Sequence, residues 1–522
     1  MSESVANSYD AVIYDSRPRT ATHPDCLATV ARLHGLSPAP VDRCRVLELG
    51  CATGGNLLPM AESLPESQFL GIDLSARQID LGRQVVSLLG LNNLQLEARN
   101  LLSLDASLGT FDYIIAHGVY SWVSAPVRDH LLKLCRTLLA PHGVAYVSYN
   151  TYPGWHLRAP ARELMAFHTA TTTDPSERVR QAREVLHFFA EHALAPQSAY
   201  ARLLRDEAEL VRREGDYYVF HEHLEDDNYP VYFHQFLSHA SQHGLQYLGE
   251  AQNNCGLAVL PTDVRQELLR LAPDPLQREQ YLDFFHQRSF RRTLLVAQEV
   301  PVQRQPDART VEQLLLLGMA RPTNPDADPA SEESLEFHND DNAAVDVAHP
   351  LLKAALLVLF ENWPRAFSFK ELLFAIHQRL GDFGGLTLTQ ARGLLCQSMV
   401  SLYQSNLVGL HTHLPDFVLQ VSHRPRTTPL IRLQAATGAQ VTNRRFRLLE
   451  LSVFDRTVLS LLDGQRDRAT LLEELSQRVA RGELGLSRDG KALEDWSKVR
   501  EALQEELEPS LQRLAQAMVL VK

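Results

Sequence analysis

Between about Arg45 and Asn150, short apolar runs alternate with amphipathic stretches. The runs CRVLELG, QFLGIDLS, LQLEARN, TFDYIIAHG and GVAYVSYN are typical of buried parallel strands that end in turns. The stretches NLLPMAESL, ARQIDLGRQVVSLLG and APVRDHLLKLCRTLLA have the spacing of amphipathic helices. This alternation predicts an α/β fold with a doubly wound, Rossmann-like sheet.

The pattern changes after Pro153, where residues 160–213 are helical and charged and carry no strand pattern. An aromatic helix and a strand follow in NYPVYFHQFLSHASQHGLQYLGEAQ, and SFRRTLLVAQ predicts one more strand. We interpret these two late strands as the closing pair of the same sheet, which makes 160–213 a helical insertion. The alternative is an independent α+β domain over residues 214–300.

The segment from Arg321 to Lys353 marks a domain boundary, with eight acidic residues and four prolines between its two basic ends. After it, SLEFH-NDDN-AAVDV predicts a hairpin. Three amphipathic helices and a strand pair in GLHTHLPDFVLQ follow, a pattern typical of a winged helix, and the last 80 residues are again mostly helical. The predicted units are 1–159 (N-terminal lid and Rossmann-like core), 160–213 (insertion), 214–320 (closing strands and middle region), 334–440 (winged-helix-like) and 441–522 (C-terminal helical).

Composition narrows the class of protein. The 51 basic and 63 acidic residues give a net charge of −12, which argues against a broad nucleic-acid surface. A hydrophobic content of 45% suffices for packed cores and excludes a disordered chain. Six scattered cysteines without a CxxC pair favour a reducing compartment, and neither a leader nor a long apolar run is seen. We therefore expect a cytoplasmic protein with no membrane insertion and no nucleic-acid partner.

The motif VLELGCATGGN carries the chemistry. A buried strand ends at Glu48, and Gly50, Ala52 and Gly54 follow before a helix opens at Asn56 or Leu57. Small residues let the backbone approach a ligand closely, although nicotinamide and flavin sites share this feature. Asp73 ends the next strand, about 20 residues on, where an acidic side chain receives ribose hydroxyls.

The turn reads ExGxAxG and resembles motif I of class I S-adenosylmethionine-dependent methyltransferases, which implies that molecule as the cofactor. Asn100 in EARNLLSL stands where the family reads the adenine amino group, and FDYIIAHGVYSWV resembles the strand and loop that face the sulfonium. Two positions differ from the family's pattern: Ala52 replaces the middle glycine of motif I, and Asn100 replaces the acidic residue that contacts the adenine. The structural alternative for Gly50, Gly54 and Asp73 together is a plain βα turn. The implied cofactor-binding residues are Tyr14, Glu48, Gly50, Cys51, Ala52, Thr53, Gly54, Asp73, Leu74, Gln78, Asn100, Leu101, His117 and Gly118.

Further motifs resemble methyltransferases that carry a regulatory domain, among them the rickettsial type of outer-membrane-protein lysine methyltransferase. These motifs are THP, HGVYSW, NTYPGW, HEHLEDDNYPVYF and LQYLGEAQ. The resemblance implies a protein-lysine N-methyltransferase that acts on a surface or exported protein. A small-molecule or natural-product methyltransferase with accessory dimerisation domains is the alternative. A nucleic-acid enzyme is disfavoured, because the helix TQARGLLCQSMVSLYQSN contains one basic residue, Arg392.

The implied reaction is an in-line transfer of a methyl group to a neutral amine, so positioning and exclusion of water should supply most of the rate. Aromatic walls after two strand ends would hold an alkylammonium group and favour its deprotonation. The predicted catalytic set is His117, Tyr120, Trp122, Asn150, Tyr152 and Trp155. Core packing is the alternative for any one aromatic residue, and a structural histidine is the alternative for His117.

The remaining sequence features either allow two interpretations or indicate no function. Tyr9 and Tyr14 could form a lid, or belong to a disordered arm. We predict no metal site: HEHLEDDN (221–228) lacks HExxH spacing, and the same holds for HTH at 411–413. Basic residues at 291–292 and 443–447 have the pattern of solvated faces, and the insertion 160–213 could be a homodimer surface.

Overall fold

The computed structural model describes residues 13–14, 16–251, 256–257, 260–488, 491–492 and 495–522, so the predicted lid residue Tyr9 lies outside the described residues. Its centre is a seven-stranded sheet with strand order β3-β2-β1-β4-β5-β7-β6. The strands are β1 Arg45–Leu49, β2 Gln68–Asp73, β3 Leu94–Ala98, β4 Phe111–Ala116, β5 Leu139–Asn150, β6 Leu245–Glu250 and β7 Phe290–Ala297.

Strands β1 to β5 are parallel, and β7 runs antiparallel to both of its neighbours, β5 and β6. The predicted α/β sheet and its closing pair of late strands are therefore confirmed: β6 and β7, from within residues 214–300, belong to the same sheet as β1 to β5. Successive side chains of β1 point to opposite faces of the sheet: Val46 lies in one apolar cluster and Leu47 in another. The strand is buried from both sides, which explains its continuous apolar run.

Helices cover both faces of the sheet and follow the predicted amphipathic stretches. They are α1 Pro24–Leu33, α2 Leu57–Ser63, α3 Ala76–Leu89 and α4 Ala125–Leu138. Between β5 and β6 the chain forms the predicted insertion, with α5 Gly154–His168, α6 Pro175–Glu191 and α7 Ala199–Arg213. These three helices share an apolar cluster of their own, which includes Met165, Leu186 and Leu204.

The middle region returns the chain to the sheet. A short helix and one π-helical turn lead into it: α8 Asp216–Val219 and the turn Phe220–Leu224. The helices α9 Phe233–Gln242, α10 Thr262–Leu271 and α11 Pro275–His286 then flank β6 and β7. Helix α9 packs its buried Phe236 into the same cluster as β4 and β5.

After β7 come two small sheets and three helices with a common apolar cluster. Their elements are β8 Leu315–Gly318, β9 Arg321–Pro322, β10 Leu335–His338, β11 Ala344–Val347, α12 Pro350–Glu361, β12 Phe367–Ser368, α13 Phe369–Leu380, α14 Leu388–Gln404 and β13 Val408–His411. The predicted hairpin is confirmed as β10 and β11. The predicted strand pair at 409–420 is wrong, because β13 pairs with β8 and the next backbone N–H groups, at Thr412 and His413, donate to Asp25.

The last part of the chain packs around another apolar cluster. Its elements are β14 Arg426–Thr427, α15 Pro429–Thr437, β15 Gln440–Thr442, β16 Leu448–Glu450, α16 Val453–Leu461, α17 Arg468–Ala480, β17 Ser487–Arg488, β18 Lys491–Ala492, α18 Trp496–Gln516 and β19 Leu520–Val521. Among the helices that the structure describes, none is both long and apolar enough to cross a membrane.

Candidate active site

The loop between β1 and α2 has the backbone of a ligand-binding turn. Gly50, Ala52 and Gly54 have φ angles of 78°, 51° and 76°, in the left-handed region. A Cβ on Gly50 would lie 2.6 Å from the Val119 side chain, so the loop packs tightly against the chain that follows β4. Ala52 stands where the family has glycine, and its left-handed backbone conformation costs an alanine about 1–2 kcal/mol.

Asp73 supports this strained loop from the end of β2. Its carboxylate accepts hydrogen bonds from the backbone N–H of Ala52 at 2.8 Å and of Ser75 at 2.9 Å. Leu74, beside it, is 60% exposed. At the end of β3, the Asn100 side-chain oxygen accepts from the N–H of Leu102 at 2.9 Å and begins the short turn that contains Leu101. The predicted residues of β1, β2 and β3 thus meet at one edge of the sheet.

Glu48 lies beneath the loop and does not face solvent. Its Oε1 accepts a hydrogen bond from the Asn56 amide at 2.8 Å, and Asn56 in turn accepts from the N–H of Arg19. Burial, reinforced by the negative charge of Asp73, raises the pKa of Glu48 to about 8. Its Oε2 atom has no hydrogen-bond partner among the described residues.

The N-terminal segment covers the loop. The N–H of Tyr14 donates to the Gln78 side chain at 3.2 Å, and the Ser16 hydroxyl lies 3.5 Å from the carbonyl oxygen of Cys51. The Tyr14 ring packs edge-on against Tyr217, with centroids 5.7 Å apart. Residues 13–14 and 16–19 therefore lie between the loop and α8.

His117 directly follows β4 and lines a large cavity. Its Nδ1 is 2.9 Å from the Tyr146 hydroxyl and 3.3 Å from that of Ser148, which also accepts from the N–H of Gly118. Burial, together with the positive charges of Arg19 and Arg292, holds the pKa of His117 well below 6.5. The imidazole is therefore neutral at physiological pH.

The cavity has a volume of about 780 Å³ and lies between the catalytic sheet and the C-terminal part of the chain. Arg19, His117 and Arg292 line it from the sheet side. Its other wall comes from residues far along the chain, including Trp363, Tyr403, Arg445 and Phe446. Sequence analysis missed these residues, because no local pattern connects them to the loop at 50–54.

The aromatic residues predicted to surround the acceptor do not lie together in the structure. The rings of Trp122 and Trp155 meet at 6.4 Å and 83°, and the Arg158 guanidinium lies 4.9 Å from the Trp155 ring. Tyr152 instead stacks on His156, 4.0 Å away. Trp122 and Trp155 thus pack as a pair near the strand ends, outside the lining of the cavity beside His117, and Tyr152 lies in a separate stack.

Tyr120 was predicted to line the acceptor site with the other aromatic residues, but its side chain lies in the core instead. It is 2% exposed, its ring packs edge-on against Phe236, and its hydroxyl lies 2.8 Å from Nδ1 of His239. The reason is local: the 3₁₀ turn Tyr120–Trp122 directs its first residue into the apolar cluster under α4 and α9.

Asn150 joins three segments at the end of β5. Its N–H donates to the Ser121 hydroxyl at 2.9 Å, its side-chain amide donates to Asn228 at 3.0 Å, and its carbonyl accepts from the N–H of Val231. The segment HEHLEDDN thus lies against the end of β5. Its first histidine, His221, contacts the Glu225 carboxylate at 2.9 Å.

The basic pair on β7 is also not a solvated face. Arg291 is 1% exposed and binds the carboxylates of Glu250 and Asp283. Arg292, on the opposite face of the strand, lines the cavity beside His117. The alternation of side chains along a strand, applied to the predicted β7, would have indicated that only one of the two arginines can face a given side.

Comparison with known proteins identifies three domain families along the chain. Residues 47–145 match a methyltransferase domain, residues 215–297 a predicted methyltransferase regulatory domain, and residues 423–519 the PKMT C-terminal winged helix domain. The family's winged helix thus overlaps only the end of the predicted winged-helix-like unit 334–440 and extends through most of the predicted C-terminal helical unit 441–522.

Whole-chain relatives agree with these matches. The uncharacterized protein RP789 of Rickettsia prowazekii is 33% identical over 523 residues, which cover 99% of this chain and 94% of the relative. The uncharacterized protein RP028 of the same organism is 42% identical over 235 residues, 45% of this chain and 94% of the relative. The structure of PKMT2 from Rickettsia typhi in complex with AdoHcy superposes with a TM-score of 0.84 at 31% identity, and covers 98% of this chain and all of that one. The chain therefore belongs to the family of S-adenosylmethionine-dependent methyltransferases that carry a regulatory domain and a PKMT winged helix.

Proposed function

We propose that this methyltransferase modifies lysine side chains of a protein, and that its acceptor is a surface or exported protein. The observation that carries the proposal is the cavity beside His117, whose far wall is built from the C-terminal part of the chain. A volume of about 780 Å³ is within the range of small-molecule sites, but an acceptor in this cavity contacts both the catalytic sheet and the C-terminal domains. The resemblance to PKMT2 supports a protein acceptor.

The residues present fit the cofactor. Three left-handed positions shape the loop at 50–54, and a Cβ on Gly118 would find no atom within 4 Å, which leaves an open approach at the end of β4. The buried Gln78 amide nitrogen lacks a hydrogen-bond partner among the described residues. The loop 50–54 with Asp73, Gln78, Asn100 and the 117–118 backbone would hold the cofactor, which supplies an electrophilic methyl group on a sulfonium when bound.

The chain's own contribution is to prepare the acceptor amine. A lysine must lose its proton before it can act as a nucleophile. The part of the cavity beside His117 favours this, because the charges of Arg19 and Arg292 there oppose a further cation. In the tautomer in which Nδ1–H donates to the Tyr146 oxygen, Nε2 of neutral His117 can accept a hydrogen bond from the incoming ammonium group.

The cofactor part is tested by isothermal titration with S-adenosylhomocysteine. Asp73→Ala should weaken binding at least tenfold, because it removes both the support of Ala52 and the predicted ribose acceptor. Asp105→Ala is the matched control, since Asp105 caps a neighbouring exposed turn in the same manner. Equal affinities for the two variants would contradict the assigned site.

The acceptor part needs a separate measurement. The enzyme is incubated with cofactor labelled in its methyl group and with an envelope-protein fraction, and the protein is hydrolysed to amino acids. Label in methylated lysine supports the proposal. Label found only in small molecules would favour the alternative of a small-molecule methyltransferase with accessory dimerisation domains.

A further inference from the structure

Three metal-binding side chains meet away from the cofactor loop, where α4 lies beside α9. Asp129 lies on α4, and His239 and His243 lie one helical turn apart at the C-terminal end of α9. Their ligand atoms all lie within 4.8 Å of one another. Asp129 Oδ1 is 2.8 Å from Nε2 of His243 and 3.5 Å from Nε2 of His239.

Two of these three separations are near those between ligands of a transition-metal ion. Nitrogen and oxygen ligands lie about 2.0–2.2 Å from Zn²⁺, so two ligands of a tetrahedral site are about 3.3 Å apart. The observed 2.8 and 3.5 Å bracket that value. Two imidazoles and one carboxylate are also a donor set that suits divalent first-row metals and leaves a coordination position open.

The surroundings favour metal binding over a simple ion pair. The Tyr120 hydroxyl lies 2.8 Å from Nδ1 of His239, so that ring is oriented with Nε2 toward Asp129. Such a partner on the second ring nitrogen is the usual support of a metal-ligating histidine. Asp129 is largely exposed while the two rings are mostly buried, which gives an ion access from solvent. The nearby cation of Arg128 stacks on the Tyr229 ring, 4.4 Å from its centre.

We propose that Asp129, His239 and His243 form a binding site for a divalent transition-metal ion of the Zn²⁺ class. A bound ion would link α4 to α9 and, through His239, hold Tyr120 in the loop that follows β4. In that state Nδ1 of His239 donates its hydrogen to the Tyr120 oxygen. The ion is placed to stabilise the fold beside the active site and takes no part in methyl transfer.

The test uses full-length protein without a histidine tag, treated with a chelator and titrated with ZnCl₂. We expect one tight site per chain, a rise in the thermal unfolding midpoint on loading, and Co²⁺ absorption typical of nitrogen and oxygen ligands. His239→Ala and His243→Ala should each abolish that site. His234→Ala is the matched control, because His234 lies on the same helix and contacts Gln280 instead.

A further variant separates metal binding from folding. Tyr120→Phe keeps the ring in the core and should weaken Zn²⁺ binding about 10–100-fold, as loss of such a partner does elsewhere. His243→Gln, at the end of the helix, keeps a polar side chain and should still remove the site. The proposal is overturned if wild type binds no Zn²⁺ stoichiometrically, or if the two histidine variants bind it as tightly as His234→Ala does.

Discussion

Replacing Arg291 by methionine should destabilise the catalytic domain by about 3–5 kcal/mol. Arg291 lies on β7, in the interior of the sheet, and is 1% exposed. Its guanidinium contacts Glu250 at 2.6 Å and Asp283 at 2.9 Å, and lies 3.9 Å from the centre of the Phe233 ring. Methionine fills the space of the side chain, but leaves Glu250 buried without its arginine partner and Asp283 with Arg288 alone, 3.3 Å away.

The magnitude follows from burial. Asp283 is fully buried and Glu250 nearly so, so neither carboxylate can recover the lost interaction from water. A loss of 3–5 kcal/mol is a large share of the 5–15 kcal/mol that typically stabilises a domain. Because the acids cause the loss, the double variant Arg291→Met, Asp283→Asn should be more stable than Arg291→Met alone.

The assay is urea unfolding followed by far-ultraviolet circular dichroism and by tryptophan fluorescence. Arg270→Met serves as the control: Arg270 contacts Glu267 on the surface of α10 with both groups more than half exposed, and such pairs contribute about 0–1 kcal/mol. A destabilisation of Arg291→Met no larger than that of Arg270→Met would refute the reasoning, as would a double variant less stable than the single one.

Three further predictions follow. Asp25→Ala should speed proteolysis at 412–425 at least tenfold, because it removes acceptors of the Thr412 and His413 N–H groups; an unchanged rate relative to Asp416→Ala would contradict this. Glu48→Gln should flatten the pH profile of stability. The native pKa of about 8 exceeds the ordinary 4.5, so the free energy of unfolding falls between these pH values, by at most about 1.4 kcal/mol per unit; parallel urea profiles at pH 5–8 would contradict it. Phe188→Glu, on the exposed face of the insertion, should dissociate the expected homodimer in sedimentation, whereas a wild type that sediments as a monomer would exclude that dimer.

The sheet could be predicted because each of its strands is encoded by a short stretch of neighbouring residues. Each strand is a short apolar run, and parallel strands separated by helices necessarily bring their carboxyl ends to one edge. Glu48, Asp73, Asn100 and His117 therefore converge without any knowledge of long-range contacts. The strands, and the edge of the sheet at which these residues lie, were accessible from the sequence for this reason, whereas the strand order was not predicted.

Side-chain direction and long-range partners were not accessible. Tyr120 and Trp122 are two residues apart in a 3₁₀ turn, and no simple period tells which one enters the core. In the predicted strand pair at 409–420, the partner of β13 is instead β8, which precedes the acidic segment in the chain. The chain after β13 is held by Asp25, almost 390 positions away, and one sequence cannot reveal such a contact.

One short segment, residues 19–26, connects the cofactor loop to the far wall of the cavity. The N–H of Arg19 donates to Asn56, which bonds the buried Glu48, while the His23 ring packs 4.2 Å from that of Phe446 and Asp25 holds the chain after β13. Because coupling between two sites is reciprocal, an acceptor that orders the wall should tighten the cofactor loop, and the reverse. Asp25→Ala should therefore weaken S-adenosylhomocysteine binding although Asp25 lies outside the predicted cofactor contacts. An affinity equal to that of wild type would show that the two ends of the segment act independently.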